Sequence, residues 1–160
     1  MVILVLNCGS SSLKYQLLDM KNDEVYDLLA KGIVERIGME VGCVKHEAPG
    51  KEKLVKEMPI ADHTVGIQAV MEVLLDKEYG VLSTLEDIEA VGHRVVHGAE
   101  DFVCSQLITD KVVAQIEKCV DLAPLHNPAN LLGIKAVSAV LPNVPQVAVF
   151  DTAFHQSMPQ

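Results

Sequence analysis

The chain has 160 residues, 49% of them hydrophobic and 22% charged, with 22 acidic against 13 basic side chains and a formal net charge of -9. That composition suits one globular domain with its own core and excludes a disordered chain. The acidic balance argues against a surface built for nucleic acid or an anionic membrane, and it makes each basic residue beside a polar turn more informative.

The first stretch, MVILVLNCGSSSLKYQLLD, organises the rest. Residues 2–6 are short, apolar and partly β-branched, which predicts a strand. Asn7-Cys8-Gly9-Ser10-Ser11-Ser12 follows as a small-residue turn. From Ser12 a second strand should put Ser12, Lys14 and Gln16 on one face and Leu13, Tyr15 and Leu17 on the other. Such a hairpin aims backbone N–H groups, hydroxyls and one ammonium at a common spot, a phosphate cradle made from a turn. It is not a Walker loop, since the GxxxxGK[ST] spacing is absent.

A polar turn at residues 21–23 leads to a third strand over 24–36, interrupted by Gly32. Residues 39–46 and 51–58 predict two more strands joined by Ala48-Pro49-Gly50, and their lysines and glutamates mark an exposed edge hairpin. Asp62 is the expected N-cap of a helix over 64–77, whose stripe is Val65, Ala69, Val70, Val73 and Leu74. Ser83 or Thr84 caps a short helical turn, and 88–96 is a strand. An amphipathic helix is expected over 109–119 and a two-proline loop over 121–128. A second helix over 128–139 has Asn127 as N-cap and Pro128 in its first turn. A last apolar strand covers 146–150. Strands first and helices later predict an α/β chain, a mixed sheet flanked by helices.

Four stretches beyond the turn invite a chemical reading. Arg94 sits inside an otherwise apolar strand, where a buried guanidinium needs a carboxylate partner or an anionic ligand. His93 and His97 are spaced as HxxxH, but on a strand they stand roughly 13 Å apart, too far to share a metal. Leu125 and His126 lie on a proline-stiffened loop before a helix N-terminus, which favours an anion. Asp151 directly follows the last strand, a frequent position for a metal ligand or a base in α/β folds. The four cysteines are scattered without a CxxC pair, as in a reducing cytosol. With no basic leader after Met1 and no apolar run near the roughly 20 residues of a membrane span, a soluble, cytoplasmic protein is expected.

Four segments, NCGSSSLK at 7–14, GHRVVHG at 92–98, LAPLHNPAN at 122–130 and VFDTAFHQSMP at 149–159, resemble the acetate kinase family, within the sugar-kinase, heat-shock-ATPase and actin superfamily. The resemblance implies the first domain of a ribonuclease-H-like, actin-like ATPase fold. It also implies that residues 1–160 form an acyl-substrate- and phosphate-binding domain, with the nucleotide-binding domain lying outside the chain. The implied reaction is reversible transfer of the ATP γ-phosphoryl group to acetate, giving acetyl phosphate and ADP with Mg²⁺. By the same resemblance Asn7 lies near Mg²⁺, and Ser10, Ser12 and Lys14 hold phosphate oxygens. Arg94 binds the acetate carboxylate or acyl phosphate, Val96 and Leu125 line a methyl pocket, His126 holds the transferring phosphoryl group, and Asp151 acts on acetate or metal. Direct in-line transfer is the adopted route, and a phospho-Asp151 intermediate stays open. Family members are homodimers, with the contact implied mainly in the absent half. Propionate or butyrate kinase activity, or a non-catalytic phosphate-binding module, are the alternatives.

Overall fold

A computed structural model of the chain describes residues 1–21, 25–95, 106–108, 114 and 127–150. Five strands come first: β1 (Val2–Cys8), β2 (Leu13–Met20), β3 (Tyr26–Glu35), β4 (Gly42–Glu47) and β5 (Leu54–Met58). Helix α1 (His63–Leu75) and a 3-10 turn (Leu85–Asp87) precede β6 (Ala90–Val95). The short β7 (Gln106–Leu107), helix α2 (Asn127–Val140) and β8 (Gln146–Phe150) complete the described elements. The strands form one sheet in the order β5-β4-β3-β2-β1-β6-β8-β7. The first five make an antiparallel meander, while β6 pairs parallel to β1 and β8 parallel to β6.

The alternation in β1 and β2 decides which way the sheet faces. Leu4, Leu6 and Cys8 are buried together with their cross-strand partners Leu17, Tyr15 and Leu13. Asn7, Lys14 and Gln16 are exposed on the other face. Both helices lie against the buried face, α1 over β3 and β4 and α2 over β1 and β6, and they pack on each other. Ile67, Val70 and Leu74 of α1 and Ile134, Ala136 and Val137 of α2 are buried in the core. Each buried large aliphatic side chain there is worth about 1.5–3 kcal/mol. Asp62 caps α1 as its sequence predicts, accepting from the Val65 N–H at 2.9 Å. Thr84 caps the 3-10 turn. The edge reading of the β4–β5 hairpin also stands, since β5 is the outermost strand on its side.

Three expectations change. Asn7 and Cys8 belong to β1, so the turn shortens to residues 9–12. The strand expected from residue 39 starts at Gly42. Gly32 does not interrupt β3: it pairs with Tyr15 on one side and His46 on the other. A Cβ there would run into the Tyr15 ring and the Lys45 carbonyl, so glycine lets the tyrosine cross the sheet. The Tyr15 hydroxyl donates to His46 Nδ1 at 2.6 Å, and His46 Nε2–H donates to the Tyr79 carbonyl at 3.1 Å. Burial pushes the Tyr15 pKa up and that of His46 down, which keeps both ends of this chain neutral. The helix expected over 109–119, apart from residue 114, the loop over 121–126 and most of the turn over 21–23 lie outside the described residues. Among the described residues no helix is long and apolar enough to cross a membrane.

The resulting arrangement is a mixed sheet with the described helices packed on one face, an α/β layering. Its parallel strands β1 and β6 run side by side, and their carboxyl ends bring Asn7 and Arg94 to one end of the open face.

Candidate active site

β1 and β2 stay paired to the last residues before the turn, so Asn7 stands directly opposite Lys14. On the other side of β1, Leu6 is paired with His93, which leaves Asn7 and Arg94 as the next residues of two parallel strands. Asn7, Lys14 and Arg94 all line one cavity of about 490 Å³ on the open face. The same cavity continues across the sheet to Gln16, Lys31, Lys45 and Lys53, so it gathers five of the chain's 13 basic residues. Among the described residues its lining carboxylate is Glu47, shared between Lys53 at 3.0 Å and Lys31 at 3.8 Å, while Lys45 pairs with Glu35 at 3.3 Å. A groove this cationic in a protein this acidic attracts anions to one place.

Arg94 requires a correction. The apolar residues around it predict a buried guanidinium, whereas Arg94 is exposed and its neighbour His93 is the buried one. The open face carries no helix over β6 among the described elements, so the side chain that points there meets the groove. His93 points to the opposite face, where its Nε2 donates to the Gln146 side-chain oxygen at 2.7 Å. Gln146 Nε2–H in turn donates to Ser138 Oγ at 2.8 Å, and that hydroxyl to the Ile134 carbonyl at 3.0 Å. Burial holds the His93 pKa down to about 4, so the ring adds no positive charge beside Arg94 at neutral pH.

The serine turn sits at the end of β1, next to this groove. The Gly9 N–H donates to the Ser12 carbonyl at 2.8 Å and closes it. The Ile37 N–H donates to the Ser11 carbonyl at 2.9 Å, and His63 Nε2 lies 2.8 Å from the Gly9 carbonyl. The Gly9, Ser11 and Ser12 carbonyls are thus held from within the protein, while Ser10 is exposed and Ser12 half-buried. Ser12 Oγ stands 2.8 Å from where a Gly9 Cβ would be, so any side chain at position 9 would displace that hydroxyl.

Beyond Arg94 the open face turns apolar. A second groove of about 460 Å³, lined by Ile3, Val5, Leu18, Met20, Ala90 and Val147, meets the first at Val5 and Arg94. Of the sequence-predicted site residues, Asn7, Lys14 and Arg94 share one cavity, and Ser10 and Ser12 stand in the adjoining turn. Val96, Leu125, His126 and Asp151 lie outside the described residues, as does His97. The strand before Asp151 ends with Phe150 paired to Val95, beside the end of β6. Sequence reasoning missed His63, whose partner is 54 residues away, and the His93–Gln146–Ser138 chain, which spans three elements. Among the described residues no three His, Cys, Asp or Glu side chains gather as a metal site.

The sequence profile of the acetokinase family matches residues 2–160. The acetate kinase of Carboxydothermus hydrogenoformans is 58% identical over 160 residues, which is 100% of this chain and 39% of that enzyme. The crystal structure of Porphyromonas gingivalis acetate kinase superposes with a TM-score of 0.91 at 49% identity, covering 99% of this chain and 39% of that one. A propionate kinase from Francisella tularensis superposes with a TM-score of 0.83 at 41% identity, covering 99% of this chain and 38% of that one. The chain therefore spans about two fifths of the length of these relatives. A serine turn at the end of β1, a groove lined by basic side chains at the ends of parallel strands and a profile matched along nearly the whole sequence agree: the chain belongs to the acetokinase family.

Proposed function

We propose that this chain is the acyl-substrate- and phosphate-binding N-terminal domain of an acetate kinase, with the nucleotide-binding domain supplied by the length of the family that lies outside it. The enzyme so completed transfers the γ-phosphoryl group of ATP to acetate, reversibly, giving acetyl phosphate and ADP. The observation that carries this reading is the meeting of Asn7, Lys14 and Arg94 in one groove beside the serine turn. Phosphoryl transfer asks little covalent work of a protein; alignment and neutralisation of the three equatorial oxygens supply most of the catalysis. Lys14 and the Ser10 and Ser12 hydroxyls are suited to phosphate oxygens. The planar Arg94 guanidinium is suited to a carboxylate or acyl phosphate, which it can bind through two parallel hydrogen bonds. Neutral His93 behind it leaves the cationic field to Arg94 and Lys14.

Mg²⁺ is the ion the family implies. It keeps several waters and binds largely through substrate phosphates, so it needs few protein ligands. The exposed Asn7 amide fits such an outer-sphere contact, and the bound ion would neutralise the phosphate oxygens. We assign Val96 and Leu125 to the methyl pocket, His126 to the transferring phosphoryl group, and Asp151 to the acetate or the metal. The homodimer contact is placed mainly outside this chain, and the protein in the cytoplasm. Propionate kinase is the second reading, supported by the Francisella tularensis neighbour. One methylene is worth only about 1–3 kcal/mol of discrimination, so the two readings differ by little.

The test is an ADP-release or hydroxamate assay on the full-length enzyme and on the 160-residue chain, with acetate and propionate compared. Full-length enzyme should prefer acetate, and the chain alone should turn over at under a tenth of its rate, because in-line positioning, worth about 7–11 kcal/mol, needs both walls of the cleft. Comparable turnover by the chain alone would overturn the two-domain assignment, and a preference for propionate would replace acetate as the substrate.

A further inference from the structure

We infer that His63 is a positioning residue that presets the phosphate-donating amides of the serine turn, a role that rests on the phosphate-binding reading above and names the device behind it. His63 opens α1, is 5% exposed, and reaches back to the end of β1. Its Nε2 lies 2.8 Å from the Gly9 carbonyl oxygen. A carbonyl only accepts, so Nε2 carries the hydrogen.

The consequence follows from peptide geometry. None of the described peptide bonds is cis. In a trans peptide the C=O of one residue points opposite to the N–H of the next. With the Gly9 carbonyl held toward α1, the Ser10 N–H points the other way. With the Ser11 carbonyl held by the Ile37 N–H, the Ser12 N–H does likewise. Two amides therefore face outward as donors, and two carbonyl dipoles that would repel a phosphate are turned inward. Backbone amides turned toward one place favour an anion there.

Glycine at position 9 makes an external hold necessary. It admits the Ser12 hydroxyl at close range, yet its backbone rotates at little steric cost, so the Gly9–Ser10 plane needs fixing from elsewhere. The Ile37 tie is backbone to backbone. His63 is the side chain that performs the same task at the other plane.

The experiment compares His63→Gln, His63→Asn and His63→Leu in the full-length enzyme, with KM and kcat for ATP, calorimetric binding of Mg·ATP, and melting temperature. The glutamine amide nitrogen falls near the place of Nε2, whereas that of asparagine falls near Nδ1. His63→Gln should keep ATP affinity within about twofold. His63→Asn and His63→Leu should weaken it about tenfold, the size of one lost hydrogen bond, with kcat changed far less. Equal ATP affinity of the Gln and Asn variants would overturn the inference. Should the variants fail to fold, ¹⁵N spectra of the wild-type ring decide: hydrogen on Nε2 supports it, and a bare Nε2 overturns it. A wild-type enzyme that binds no ATP would instead remove the phosphate reading itself, visibly and before any variant is compared.

Discussion

Acid should unfold this protein through His93. The ring is 2% exposed and stays neutral down to a pKa of about 4, held down by burial and only partly raised by its bond to Gln146. Unfolded, the same histidine takes up a proton near its ordinary value of 6.5. Between those two values the unfolded state binds more protons than the folded one. The contribution is therefore complete above about 6.5 and is lost as pH falls toward 4. Each pH unit in that window is worth about 1.4 kcal/mol, so the whole descent removes about 3 kcal/mol. Against a typical domain stability of about 5–15 kcal/mol this is a large loss. His46, also held down by burial, contributes a slope of its own in the same direction. Subtraction of a His93→Gln variant isolates the His93 part. Urea unfolding followed by circular dichroism, from about pH 7 to about pH 4, should show wild type losing about 3 kcal/mol more than the variant. The glutamine carries an N–H that can still reach Gln146, so the offset between the proteins at pH 7 should be modest. A wild-type-minus-variant difference that stays level with pH would refute the reasoning.

Two further substitutions test the site and the packing under it. Arg94→Ala in the full-length enzyme should lower turnover about a hundredfold, as expected when a substrate loses its alignment, while the melting temperature moves little because the residue is exposed. A large fall in melting temperature would mark Arg94 as a structural ion-pair partner instead. Gly133→Ala should destabilise the fold by about 1–3 kcal/mol, since its Cβ would run into the Cys8 sulfur and push α2 off β1. Adding Cys8→Ala should recover most of that loss, and failure of the pair to recover would show that the strain lies elsewhere.

Much of the fold was legible because it is local. The β1–β2 hairpin, the faces of Lys14 and Gln16 against Leu13 and Tyr15, the Asp62 cap and the last strand over 146–150 each follow from periodicity or a single capping residue. The burial of Arg94 was misread for a physical reason. A strand parallel to its neighbours is normally apolar because both faces are covered, and β6 reads that way. Here the described elements cover one face, so the run 90–95 puts His93 inside and Arg94 in the groove. Gly32 suggests a break because glycine is depleted in strands; the Tyr15 ring and the Lys45 carbonyl beside it explain why the strand runs on with no side chain there. His63, His46 and the His93–Gln146–Ser138 chain had no local signal at all. Their partners stand 54, 31 and 53 residues away, and no spacing rule reaches so far.

The ladder between β1 and β2 also limits how the serine turn can vary. Seven consecutive pairs, from Val2 with Asp19 to Cys8 with Leu13, lock the hairpin before and after the turn. Side chains alternate with a period of two, so one residue gained or lost in that turn, without a compensating bulge, would reverse every face of β2. Lys14 would enter the core and Leu13 would stand in the groove. The number of residues between Cys8 and Leu13 is therefore under tighter constraint than their identity. A serine can become another small polar residue at modest cost, but an insertion must come in twos or be absorbed outside the ladder. Length, in this turn, decides which side chains of β2 reach the groove.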